Sequence, residues 1–189
     1  MFDREIVLSA AMIIFPTGAA GHWAGRGGSK PAGARIMDVF TTLRLVKGED
    51  LNHHMTLFAG RGAEWFVESG FIAAASCLPP GSIICASIHG MRFRRPVLPG
   101  QTIRFDSTIA LTGRTSLTVH VRTTLLRTGE PVVDGFVTFV HVDAESRPVP
   151  HGLEVVPRNE SEIALQQRAR EIVEQSRRES RLDELRFGR

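Results

Sequence analysis

Cysteine is scarce: only Cys77 and Cys85 occur in 189 residues. Two thiols make no disulfide framework, and without a second pair they form no four-ligand zinc pattern. Both are read as reduced, buried thiols, Cys77 at the end of a helix and Cys85 in an apolar, strand-like run. Tyrosine is absent and Phe supplies most of the aromatic content, a bias that excludes nothing about function. Long apolar runs are missing as well. The run from Ile6 to Phe15 is too short to cross a bilayer as a helix, and Asp3 and Glu5 cancel the charge of Arg4 that a signal peptide would need. Charge of one sign is also weak, with 23 basic against 20 acidic residues and a net charge of +3. That excess favours an anionic ligand slightly and makes no contiguous nucleic-acid surface, given the acidic residues interspersed after residue 159. The expected chain is cytoplasmic, with no nucleic-acid or membrane partner and no metal cluster.

What is present is enough chain for one well-buried domain. Residues 1–34 are atypical, Gly-rich from residue 22 and interrupted by Pro31, and are set aside as a flexible or removable leader. The domain is expected over 35–150, and 151–189 reads as a charged, largely helical appendage. Within the domain, 36–47 reads as a strand rich in Ile, Val, Leu and Thr. From Gly60, Ala63, Phe66, Val67, Gly70, Phe71 and Ala74 recur at three- and four-residue spacing, one stripe of a helix that Pro79, Pro80 and Gly81 end. Four extended segments follow in meander-like succession, Ile83 to Phe93, 102–111, Leu117 to Leu125 and Val132 to Asp143. No crossover helices separate them, which argues against a doubly wound sheet. The fold class is α+β: one long helix against a curved antiparallel sheet. Near the end, Ile163, Leu165, Ala169, Ile172 and Val173 give a narrow stripe, with Glu174 and Arg178 as a helix-face pair.

The chemistry points to the stretch Asn52-His53-His54-Met55-Thr56-Leu57-Phe58-Ala59-Gly60. It leads into a helix whose first turn carries unpaired backbone N–H groups, and a glycine there lets a ligand approach. Such donors stabilise a carbonyl or a developing oxyanion. A plain loop-to-helix junction explains the same residues, and spacing alone does not separate the two readings.

Asp50-Leu51-Asn52, Phe58-Ala59-Gly60 and Trp65 to Gly70 resemble the signature of the acyl-CoA thioesterases of the hot-dog superfamily. Met91-Arg92-Phe93-Arg94-Arg95-Pro96 with Gly100, then Gly113-Arg114-Thr115-Ser116, then Phe136 to Asp143 follow in the family's order, so the resemblance covers roughly residues 37–150. It implies a single hot-dog domain that dimerises sheet edge to sheet edge, often as a trimer of dimers, with active sites between subunits. It implies hydrolysis of an acyl-CoA to a free acid and CoA, with CoA part of the substrate and no cofactor. Asn52 matches the family's asparagine, and Gly60 the glycine whose N–H meets the thioester oxygen. Arg95, Arg114 and Arg92 are the expected contacts to the CoA phosphates, since the guanidinium fork matches phosphate oxygens.

Two positions depart from that pattern. The expected acid, nine residues after Phe58, is Val67, and the nearest carboxylate is Glu68. One residue along a helix turns a side chain by about 100°. Glu68 is therefore read either as the carboxylate that deprotonates or holds water, or as a surface residue; Glu64 and His54 are the substitutes. Met55 stands where the family has glycine, which is taken to mean that the backbone needs no positive φ or that the loop has shifted. Phe66, Val67 and Phe71 either line an acyl tunnel or pack on the sheet. The competing functions are an acyl-CoA-binding hot-dog protein without catalysis and, on a different histidine-containing pattern, a hot-dog dehydratase.

Overall fold

The change of apolar period at Pro79 marks the passage from helix to sheet. In the computed structural model, which describes residues 37–187, β1 is Phe40–Leu45, α1 is Ala59–Ala75 and β2 is Ile83–Phe93. Next come β3 (Thr102–Thr112), β4 (Ser116–Leu125), β5 (Pro131–His141) and the helix α2, Glu160–Phe187. The five strands form one antiparallel sheet in the order β1-β3-β4-β5-β2, curved around α1. This is the hot-dog fold. The leader reading of residues 1–34 lies outside the described residues.

Alternation puts Ile103, Phe105, Val119, Val121, Val137 and Phe139 in the core under α1. The helix buries Gly62, Trp65, Phe66, Ser69, Gly70, Ala73 and Ala74. The stripe expected from the sequence is thus displaced by about one residue, because Ala63, Val67 and Phe71 lie at its margin, only partly buried. The cause is close approach. A Cβ on Gly70 would stand 3.3 Å from Val121 Cγ2 and 3.4 Å from Phe139 Cε2, so glycine and alanine take the centre of the contact face. Phe66, with no exposed surface, contributes about 1.5–3 kcal/mol by its burial.

The meander expectation is corrected at one strand. β3, β4 and β5 follow one another, but β2 pairs with β5 at the far edge. The chain returns through residues 94–101, stiffened by Pro96 and Pro99. This strap is pinned at both sides: Leu57 N–H donates to Val97 O at 2.8 Å, and Gly100 N–H donates to Val46 O at 2.8 Å. A β-bulge between His89 and Arg92 bends β2; there Gly90 takes φ +61°, and a Cβ would meet Ile172 of α2 at 2.8 Å.

The sheet's outer face is covered in part by α2. Ala169 is fully buried against Ala110 and Phe136, flanked by Leu165 and Ile172. The expected Glu174–Arg178 pair is present at 3.9 Å, between exposed side chains. Among the described residues no helix is long and apolar enough to cross a membrane.

Candidate active site

Gly60 lies in the first turn of α1, and the Asn52 loop leads directly into it. Its N-cap residue, Phe58, offers no side-chain bond, and the first turn holds no acidic residue. The Gly60 N–H finds no acceptor among the described residues. The positive end of the helix dipole is therefore left open beside an exposed loop.

That loop is built on Asn52. Its N–H donates to Thr56 O at 2.8 Å, and its Oδ1 accepts from His54 N–H at 2.9 Å and from Thr56 N–H at 3.3 Å. One amide hydrogen of Nδ2 reaches Thr56 Oγ1 at 3.1 Å, which leaves the second for another acceptor. His53 and His54 lie against each other at the exposed tip, their rings tilted by 45° with 3.9 Å between centroids.

Met55 corrects the sequence reading. Its φ is +59°, so the backbone does take the left-handed turn that the loss of glycine argued against, and methionine adopts it at a cost. That cost for an L-residue is roughly 1–2 kcal/mol, partly offset by the lower unfolded-state entropy of methionine. Met55→Gly is expected to stabilise the fold by about 1 kcal/mol, read as a melting temperature higher by roughly 2–4 °C. An unchanged or lower melting temperature would show the turn to be unstrained.

Beneath the loop lies a residue whose role the motif did not reveal. Asp50 is buried; its Oδ2 accepts from Lys47 N–H at 2.9 Å, and its Oδ1 faces Arg61 Nε at 3.3 Å. Its backbone O accepts from Phe58 N–H at 2.8 Å. Asp50 and Arg61 thus fix the Asn52 loop to the first turn of α1. An acid shortly before a helix and an arginine in its first turn were the available signal.

Glu68 lies elsewhere. Arg44 of β1 donates to it at 2.7 Å, with both side chains partly exposed. Ser69 is hydrogen-bonded to Thr42 of β1 at 2.6 Å, which fixes the β1 flank of the helix. Val67 is about 200° around the axis from Ser69 and so faces the opposite flank, toward the β2 side. From Gly60 to Glu68 the helix rises about 12 Å. Asn52 and Gly60 both belong to the segment at the start of α1, and Glu68, paired with Arg44 of β1, does not join them within one chain. Glu64 is paired with Arg61 at 2.7 Å.

The arginines are also separated. Arg95, after β2, donates from Nε to Pro131 O at 3.0 Å and pairs with Glu130, whose carboxyl is held below its ordinary value by hydrogen bonds from Arg95 and Thr128. This is the end of the sheet nearest Gly60, since Phe93 packs at Gly62. Arg92 projects, exposed, from β2 at the same end. Arg114 sits in the β3–β4 turn, beside the start of β2 and the end of β5. A strand as long as β2 puts these ends about 30 Å apart. One chain does not bring Arg95 and Arg114 to a single ligand.

Cys77 and Cys85 are free thiols, and burial pushes the Cys85 thiol above its ordinary value. Among the described residues no group of three or more His, Cys, Asp or Glu could hold a metal ion.

Comparison with known proteins agrees with this architecture. A family model described as Thioesterase superfamily matches residues 54–130. A hexameric acyl-CoA thioesterase solved in its apo form is 29% identical, with a TM-score of 0.67, over 75% of this chain and 92% of that one. An acyl-CoA hydrolase from Bacillus cereus is 29% identical, with a TM-score of 0.65, over 79% of this chain and 93% of that one. The acyl-CoA hydrolase from Staphylococcus aureus, solved with butyryl coenzyme A, coenzyme A and coenzyme A disulfide, is 25% identical, with a TM-score of 0.67, over 79% and 88% of the two chains. A search of curated proteins found no match. By sequence and by fold the chain is thus similar to the acyl-CoA thioesterases of the hot-dog superfamily, whose family model its residues 54–130 match.

Proposed function

We propose that the protein hydrolyses acyl-CoA thioesters to a free acid and CoA by attack of an activated water. The observation that carries this reading is the open start of α1: a free Gly60 N–H, no capping side chain and no first-turn acid, next to an Asn52 amide with one hydrogen to spare. The Gly60 N–H polarises the thioester carbonyl, and the Asn52 amide orients the water or donates to that carbonyl. Glu68 supplies the carboxylate that takes the water's proton, and it does so from a neighbouring subunit of the assembly, because within one chain it stands on the β1 flank about 12 Å along α1 from Gly60. Its partly exposed pair with Arg44 is worth at most about 1 kcal/mol and opens readily.

The working unit is a homodimer or a trimer of dimers, formed through the free edge of β2. Two β2 strands paired about a two-fold axis run in opposite directions. The start of one strand then lies beside the end of the other, and the second chain's copy of Arg114 comes toward Arg95 and Arg92. The phosphates of CoA are held by this shared set, in the cytoplasm, with no metal or other cofactor.

A second reading is favoured by Val67 and the Arg44–Glu68 pair: an acyl-CoA-binding protein with an incomplete water site. One experiment separates them. Purified full-length protein, dimeric or larger by light scattering, is offered short, medium, long and aromatic acyl-CoAs while free thiol is measured. Release from at least one series is expected. Tight binding of acyl-CoA with no thiol released from any would establish the second reading, and an active monomer would remove the shared site.

A further inference from the structure

The outer face of the sheet carries a charge arrangement that hydrolysis does not use. One row across the strands reads Arg92, Asp134, Arg122, Asp106, each the register partner of the next. Asp106 is engaged by Thr41 and Arg104. Beside Asp134, which Arg168 of α2 reaches, a cavity of about 340 Å³ opens among Arg94, His120, Arg122, Asp134 and Arg168.

Its electrostatics are lopsided. Asp134 accepts from His120 Nε2 at 3.1 Å and from Arg168 Nη2 at 3.0 Å, both on Oδ1. Burial by itself would raise the Asp134 carboxyl, but the hydrogen bonds from His120 and Arg168 prevail and hold it well below the usual carboxylate range. The Arg168 guanidinium lies 5.1 Å from the Phe136 ring centroid, which fixes it from the other side. The single carboxylate of the cavity is thus committed to His120 and Arg168. Arg94 and Arg122 have no side-chain acceptor among the described residues, although both line the same space.

We propose that this outer-face cavity is an anion site that takes a phosphate group, held by Arg94 and Arg122 and bordered by Arg168. Two guanidinium groups on one cavity, Arg94 from the strap after β2 and Arg122 from β4, suit a tetrahedral anion with three or four acceptor oxygens better than a carboxylate with two. The site is separate from the carbonyl site, which lies on the α1 side of the sheet. Two sources offer the same chemistry: free orthophosphate, and the phosphate of a nucleotide.

The test titrates full-length protein with orthophosphate and, separately, with ADP, at constant ionic strength maintained with potassium chloride. Binding is followed by calorimetry. Wild type is compared with the double variant Arg94→Gln/Arg122→Gln, both exposed positions whose change leaves the core intact. Saturable binding is expected, weakened at least tenfold in the double variant. ADP binding more than tenfold tighter than orthophosphate assigns a nucleotide ligand, and equal affinity assigns the free ion. No saturable binding of either probe, or undiminished binding by the double variant, overturns the proposal. Thiol release is not the readout, so the outcome is independent of whether the chain is a hydrolase.

Discussion

Glu68→Gln is expected to lower acyl-CoA turnover by roughly two to four orders of magnitude, the range for a positioned acid–base group. Glutamine keeps the size and the contact with Arg44 while removing the proton acceptor. Loss of a partly exposed ion pair costs the fold at most about 1 kcal/mol, so circular dichroism and melting temperature should be nearly unchanged. Glu64→Gln is the control, because Arg61 keeps its second partner, Asp50. Val67→Asp is the converse: it places a carboxylate on the flank opposite Ser69, where the family pattern expects one. A large rate gain there, with Glu68→Gln fully active, would reject the assignment of Glu68 and mark the natural site as a binding site.

Removing the Gly60 N–H is expected to cost about 2.7–4 kcal/mol of transition-state stabilisation, or 10²–10³ in turnover. Gly60→Pro does this within the first helical turn, where proline breaks no helical hydrogen bond. Gly60→Ala keeps the N–H and adds a similar crowding. Its Cβ would come within 2.5 Å of Phe58 Cε1, the far end of an exposed ring that is free to turn. The alanine variant should therefore lose little and the proline variant much, at similar KM, since the donor acts on charge that develops during reaction. Equal losses from both would place the effect in the shape of the loop and not in the donor.

Most of the architecture was legible because it rests on period. The apolar positions of 60–74 can only face one way on a helix, and those of 102–142 can only alternate on strands. Where Phe66 and Gly70 sit against the sheet is a matter of interlocking volumes, and that moved the buried stripe by a residue. The place of β2 was not legible either. Edge order depends on the strap of residues 94–101, and nothing local in those residues says which strand they return to. That Asn52 lies in the loop leading into α1 and Gly60 in its first turn was legible because loop and helix start are contiguous in sequence. Glu68 with Arg44, and Asp50 with Arg61, were not, since each pair joins separate segments. Met55 shows the limit from the other side: residue type argued against a left-handed turn that the hydrogen bonds around Asn52 nonetheless impose.

The two edges of the sheet are unequal. β1 has six residues and ends beside Arg44, whereas β2 has eleven and is broken by a bulge near Gly90. An edge pairing with its own copy closes on itself, while one edge pairing with the other type continues without end. A β1 of six residues gives a long β2 little to grip, and a β2 edge paired with its own copy, as proposed, is closed to β1. The chain thus carries its own protection against filament growth. Changes that lengthen β1 would be paid for in solubility before any step of catalysis was touched.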